Sequence, residues 1–318
     1  MAAGNGDEDR GRKDDAARAA WLYYVGGMRQ DRIAEELGIS RQGAQRLVAR
    51  AAQEGMIRVR IEHPIAACQQ MGRELCQRHG LEMARIAPSL RGAGDWLKAI
   101  TPLAAGYLES FFTREAPQVV GLGTGRTLKA VADEMQALDG SAHKLVSLIG
   151  NVAPDGSASF YEVVMRFADR TKAAHYPMSV PVMARDEEEL ALYQSLPHVR
   201  SARALAETAD TVIVGIGQMA DDAPLFVDGF ITCDELESLR AAGAAGEICG
   251  HVFDGQGRYL DHAVNRMMVG VQVPVSAGKT LCIAGGPTKI TALRAALKGG
   301  LITGLITDED TAEALLAD

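Results

Sequence analysis

Long apolar runs are absent from this chain: nowhere do about 18 consecutive apolar residues occur, and the opening MAAGNGDEDRGRKDD holds no apolar leader segment. A helical membrane span is thereby excluded, and a soluble, cytoplasmic protein is expected. Cysteine is scarce and scattered. Cys68, Cys76, Cys233, Cys249 and Cys282 form no CxxC pair and no His/Cys spacing of a metal site. Buried free thiols in a reducing compartment are expected, with no metal and no cofactor. Positive charge is in deficit, with a net charge of -8. Any nucleic-acid binding must therefore come from a local patch. No repeat of fixed period is found, nor any low-complexity tract beyond the N-terminal tail. The 318 residues suffice for one large domain and one small one.

What is present begins with a polar tail, residues 1–13, which has almost nothing to bury and is expected to be disordered. Residues 16–25, AARAAWLYYV, then read as a helix with Trp21, Tyr24 and Val25 on one apolar side, stopped by Gly26-Gly27. Residues 30–50, QDRIAEELGISRQGAQRLVAR, read as two short helices. Ile33, Ala34 and Leu37 make the inner face of the first; Gly38 supplies the sharp turn, and Ser40 is an N-cap for the second. In that second helix Ala44, Leu47, Val48 and Ala51 share a face, which leaves Gln42, Gln45, Arg46 and Ala49 outward. This is a helix-turn-helix pattern, although a helical hairpin with a solvated polar face shares it. Charge favours the first reading. Between residues 16 and 61 eight arginines face four acids, a local net of +4 on an acidic chain. Residues 56–61, MIRVRI, alternate apolar residues with Arg as a basic wing strand would. Arg41, Gln42, Gln45 and Arg46 are the candidate DNA contacts, since Arg pairs with guanine edges and Gln with adenine edges. Pro64 marks a boundary, and residues 65–80 read as an amphipathic helix that connects domains or dimerises.

Beyond residue 81 strands and helices alternate. Strands are expected at 83–86, 118–122, 144–149, 211–216, 280–284 and 301–306, with helices between several of them. That alternation implies a doubly wound, mostly parallel α/β domain over residues 63–318, following a winged helix-turn-helix at 14–62. Ligands of such sheets bind at the carboxyl ends of the strands. The sharpest loop is Val119-Val120-Gly121-Leu122-Gly123-Thr124-Gly125-Arg126-Thr127, a strand, a glycine turn and a helix start. Its glycines permit close backbone approach, the helix start favours negative charge, and Thr124, Arg126 and Thr127 add donors. Read alone, GLGTG is equally well a plain turn. GIGQM at 215–219 is a second such loop, with Gln218 able to bind a hydroxyl. AGGPTK at 284–289 is a third, with Lys289 opening a helix beside an anion. In GEICGHVFDGQGR, residues 246–258, the Asp254-Gly255 pair suits a hairpin turn, while Glu247, Asp254, Asn265 and Arg266 are candidates to line a polyol pocket. His251 and His262 lack a metal-ligand partner at any recognisable spacing.

Taken together, IAEELGISRQGAQRL, GLGTGRT, GIGQM, GEICGHVFDGQGR and AGGPTKITALRAALKGGLITGLITDEDTAEALL resemble the SorC family of sugar-responsive transcription regulators, relatives of the deoxyribonucleoside regulators. The resemblance runs from about residue 16 to the C-terminal region. It implies an effector domain like the sugar-phosphate isomerase and CoA-transferase fold, an operator DNA partner, a sugar-phosphate or polyol effector, and a homo-oligomer, dimer or tetramer. It assigns Gly123, Thr124, Gly125, Arg126, Thr127 and Lys289 to the phosphate end of the effector, and Gln218, Glu247 and Asp254 to the sugar end. One departure stands out. Where the family's recognition helix often has Pro or Thr and then a β-branched residue, this chain has Gln42, Gly43 and Ala44. A glycine in a helix interior costs about 1 kcal/mol against alanine. The alternative function is a sugar-phosphate isomerase with an added N-terminal domain, using Asp254 or Glu247 as base. No acid/base spacing demands it, and it leaves the basic helix-turn-helix without a role, so a non-enzyme is expected.

Overall fold

The computed structural model describes residues 4–57, 65–90, 95–114, 116–153, 156–157, 161–275 and 278–317. Contacts divide the chain into two units, Met1–His63 and Pro64–Asp318. The first is built from three helices, α1 (Gly4–Tyr24), α2 (Gln30–Leu37) and α3 (Arg41–Gln53). Small residues let them approach closely: Ala19 packs with Ile33, Ala34, Ala44 and Val48, while Ala16 and Ala20 pack with Ala51. This alanine face, and not the aromatic one, carries the packing of α1. Trp21, Tyr24 and Val25 remain 66%, 49% and 64% exposed. The tail expected to be disordered is helical from Gly4 onward. Lack of buriable residues does not prevent this, because a helix already nucleated by packing gains one hydrogen bond per added residue.

The turn between α2 and α3 follows the sequence closely. Gly38 is left-handed, with φ 65°, and caps α2. Ser40 caps α3, its Oγ accepting from the Gly43 amide at 3.1 Å. Gly43 therefore lies in the first turn of α3, and a Cβ there would sit 3.3 Å from Ser40 Oγ. Of the expected wing, Met56 and Ile57 are not in a strand, and residues 58–61 lie outside the described residues.

The larger unit opens with α4 (Ala66–His79), β1 (Met83–Ala87) and α5 (Trp96–Phe112), and continues through β2 (Val119–Leu122), α6 (Arg126–Glu134), β3 (Lys144–Val152), α7 (Val163–Thr171) and β4 (Ala174–Pro181). Then come β5 (Thr211–Val214), a hairpin of β6 (Ala244–Ile248) and β7 (His251–Asp254), β8 (Lys279–Ile283) and β9 (Gly304–Asp308). Seven strands form one sheet in the order β1-β9-β8-β5-β2-β3-β4, with every neighbouring pair parallel. Its central strands are almost wholly buried, as Val120, Leu122, Val212, Ile213, Val214 and Ile283 show. Helices α5, α6 and α7 cover one face through Ile100, Leu108, Phe112, Leu128, Val131 and Phe167. On the other face Leu75, Val199, Leu293 and Leu315 bring in α4 and the helices Pro197–Glu207, Ile290–Lys298 and Glu309–Leu316.

Helix α4 is thus part of the larger unit's core and not a free connector. Gly72 brings it so near β1 that a Cβ would lie 2.8 Å from the Ala84 carbonyl oxygen. Strand β4, AHYPMSVP, is not expected from the sequence because its two prolines break a strand pattern; an edge strand tolerates them. The chain leaves β2 toward β3 and β4 on one side, and continues from β5 toward β8 and β9 on the other. Neighbours β2 and β5 are therefore the switch point, where a crevice opens at the carboxyl ends.

Candidate functional site

The loops that follow β2, β5 and β8 leave adjacent strands, so the topology gathers them at one edge. A cavity of about 210 Å³ lies there, lined by Thr124, Gly125, Arg126 and Thr127 from the first loop, Gly215 and Ile216 from the second, and Lys289 from the third. Gly125 caps α6 at φ 123° and offers no side chain to the first-turn amides, so that helix end has no internal cap. In the third loop the Gly286 amide donates to Thr311 Oγ1 at 2.8 Å and Asp308 Oδ2 at 3.2 Å, which fixes the 3-10 turn Pro287–Lys289.

Glu247 enters from the hairpin. Its backbone exchanges two hydrogen bonds with Gly217, at 2.9 and 3.0 Å, which ties β6 to the loop after β5. A Cβ on Gly217 would collide with Glu247 Oε1, so that close approach requires glycine. The hairpin turns at Cys249-Gly250, both with positive φ (51° and 83°), as a two-residue connection of twisted strands needs. The Gly250 amide then donates to Glu247 Oε2 at 2.8 Å. Burial pushes the Glu247 carboxyl above its ordinary value, against the pull of the Gly250 bond and Lys289. Burial likewise lowers Lys289, while Glu247 holds it up.

Arg126 points into the same cavity but is not unengaged. Its Nη2 lies 3.7 Å from Asp228 Oδ1. Asp228, at the end of the short helix Pro224–Val227, also accepts from the Tyr161 hydroxyl at 2.9 and 3.1 Å. Tyr161, and after it Asp228, hold the Arg126 guanidinium in its charged form.

The structure places five of the sequence candidates elsewhere. Gln218 is buried, donating to Asp222 Oδ1 at 2.7 Å and accepting from the Ala220 amide, so it organises its own loop and lines no part of the cavity. Asp254 accepts from the amides of Gln256 (2.8 Å) and Arg258 (2.9 Å) and pairs with the Arg258 guanidinium, which makes it the organiser of the turn at 254–258. Gly123 is buried beneath the cavity, where a Cβ would lie 3.2 Å from Cys249 Sγ. Asn265 is likewise structural, bridging Val252 and Leu260, and Arg266 pairs with Asp261. Conversely, Trp96, Tyr161, Asp228 and Phe230 line the cavity and are absent from the sequence reading. Trp96 had one usable signal, as one of two tryptophans in the chain. The others come from segments with no motif. Among the described residues, no group of three or more His, Cys, Asp or Glu could hold a metal, all five cysteines are free, and no helix is long and apolar enough to cross a membrane.

In the N-terminal unit Ala44, Val48 and Ala51 are buried while Arg41, Gln42, Gln45 and Arg46 are exposed on the opposite side of α3. Arg41 Nε lies 3.1 Å from Asp31 Oδ1, an exposed pair that water and salt screen.

Residues 63–317 match the Sugar-bind family of sugar-binding domains. The chain is 33% identical over 302 residues to the erythritol catabolism regulatory protein EryD of Brucella abortus, a match covering 95% of this chain and 96% of that protein. It is 32% identical over 314 residues to the transcriptional regulator LsrR of an Enterobacter species, covering 95% and 92%. Among solved structures, the full-length sorbitol operon regulator SorC from Klebsiella pneumoniae superposes with a TM-score of 0.71 at 25% identity, covering 95% of this chain and 98% of that one.

Proposed function

From the premise that the chain belongs to the SorC-type family of sugar-responsive, DNA-binding transcription regulators, we propose that the cavity at the ends of β2, β5 and β8 holds the effector and that the exposed side of α3 reads an operator. The convergence of three strand-end loops and Glu247 on one cavity carries this reading. Its volume, about 210 Å³, is below the ~300–1,000 Å³ of clefts for drug-sized ligands and suits a molecule of a few carbons. Apolar walls from Trp96, Ile216 and Phe230 with a few charged groups are the make-up of a sugar site. The effector class is a sugar phosphate or a polyol.

On the DNA side, Arg41, Gln42, Gln45 and Arg46 are the groove contacts, in a unit spanning residues 14–62 that precedes an effector domain spanning 63–318. A homo-oligomer, dimer or tetramer, would engage half-sites spaced by multiples of ~34 Å. The isomerase alternative is disfavoured. Asp254 lies in a turn outside the cavity, so only one of the two acids named as a base lines it. Full-length relatives carry regulator names.

The test separates the two sites in one protein. In anisotropy titrations on DNA from upstream of its own coding sequence, Arg46→Ala should weaken binding by ~1–3 kcal/mol and leave effector affinity unchanged. Arg126→Ala and Lys289→Ala should do the reverse, sparing DNA binding while abolishing the effector response. Loss of both functions in either class of variant would reject the assignment.

A further inference from the structure

Acidic and basic groups stand side by side in the cavity. Two cations, Arg126 and Lys289, share it with two carboxylates, Asp228 and Glu247. Asp228 is the unexpected member. Its side chain is only 14% exposed, lies 3.7 Å from the Arg126 guanidinium, and accepts both contacts of the Tyr161 hydroxyl. Glu247 favours the charged form of Lys289, and Asp222 that of both cations.

A terminal phosphate brings roughly 1.5 to 2 negative charges at neutral pH. The Arg126 side chain is 64% exposed and only one edge of its fork faces Asp228, so a phosphate at that fork would come close to a mostly buried carboxylate. Like charge at close range in a desolvated site is strongly unfavourable. A hydroxyl meets no such opposition. It donates to a carboxylate oxygen and accepts from an ammonium or guanidinium, and an alternating set of two acids and two bases suits adjacent hydroxyls along a carbon chain.

We propose that Asp228 is the specificity residue of this cavity, setting a mostly buried carboxylate beside Arg126 so that the site takes a neutral polyol in preference to the corresponding phosphate. The inference rests on the cavity being the effector site, and it narrows the effector class of that same site. Asp228 opposes the phosphate through its own charge, which stands beside Arg126 and repels the incoming anion. Toward a polyol it is an acceptor, oriented by the Tyr161 hydroxyl.

Isothermal titration of the full chain with erythritol, ribitol and sorbitol, and with the terminal monophosphate of each, tests this. At least one free polyol should bind, with its monophosphate about ten- to a hundredfold weaker, the scale of one charge-assisted contact. In Asp228→Asn that ratio should collapse or invert, because the repelling charge is gone. A wild-type chain that binds a monophosphate as tightly as its parent polyol, or tighter, overturns the proposal, and this reading stands even if the variant does not fold. An unchanged ratio in a folded Asp228→Asn also overturns it. Failure of every probe of both classes rejects the cavity as a sugar site altogether, a different result from a preference for phosphate.

Discussion

Glu247 shows most directly how one residue's surroundings set its chemistry. Its carboxyl, raised chiefly by burial, binds its proton more tightly in the folded chain than in the unfolded one. Above the ordinary carboxylate value the folded state therefore holds more protons, and stability falls as pH climbs through the folded value. Glu247→Gln keeps an acceptor for the Gly250 amide but has nothing to ionise. Its melting temperature relative to the wild type should rise as pH climbs above the ordinary carboxylate range. A margin independent of pH in scanning calorimetry would mean that the carboxyl is ionised in the folded protein as readily as in the unfolded one. Asp254 makes the contrast at the same scale. It is an acid on the same hairpin, yet two turn amides and the Arg258 guanidinium hold it below its ordinary value and away from the cavity.

At the scale of the element, α3 depends on the junction between Ser40 and Gly43. The Ser40 cap satisfies one of the orphan amides at the helix start, and Ser40→Ala should cost about 0.5–2 kcal/mol. Gly43→Ala should recover less than the ~1 kcal/mol that helix propensity predicts, because the added Cβ presses on Ser40 Oγ. With the hydroxyl absent that conflict disappears. The double variant should accordingly be more stable than the sum of the single effects, by an amount typical of touching residues, ~0.5 kcal/mol or more. Hydrogen exchange of the α3 amides would measure all three. Strict additivity would show that the cap and the glycine do not interact.

At the scale of the whole molecule, regulation requires a coupling free energy between the cavity and α3. Moving an operator from almost fully occupied to almost fully vacant takes up to ~5.5 kcal/mol of differential binding by the effector. Because such coupling is reciprocal, saturating operator DNA should change effector affinity by the same factor by which saturating effector changes operator affinity. Titrating each ligand in the presence and absence of the other gives both factors. A disagreement between them beyond error would mean that the effector acts other than through this equilibrium, for example by changing the oligomeric state during the titration.

Much of this protein is determined locally and is therefore legible in its sequence. Gly38 and Ser40 announce a turn because a left-handed residue and an N-cap are requirements of the backbone within a few residues. The strands and helices of the larger unit follow the same logic: β2, β5 and β8 are runs whose burial on both faces demands continuous apolar residues, and the glycine loops after them mark the ends where ligands bind. Thr124, Gly125, Arg126, Thr127 and Lys289 could thus be brought to one edge by topology alone. What only the tertiary structure decided is which polar side chains face the cavity. Gln218 and Asp254 have the right chemistry in the right loops, but nearby amides claim their oxygens first. Tyr161 and Asp228 come from segments without a motif, 67 residues apart, and meet beside Arg126 because the fold places the segment after β3 against the one after β5. A backbone requirement is written into a few neighbouring residues, whereas the partner of a charge is chosen among everything the folded chain brings within reach.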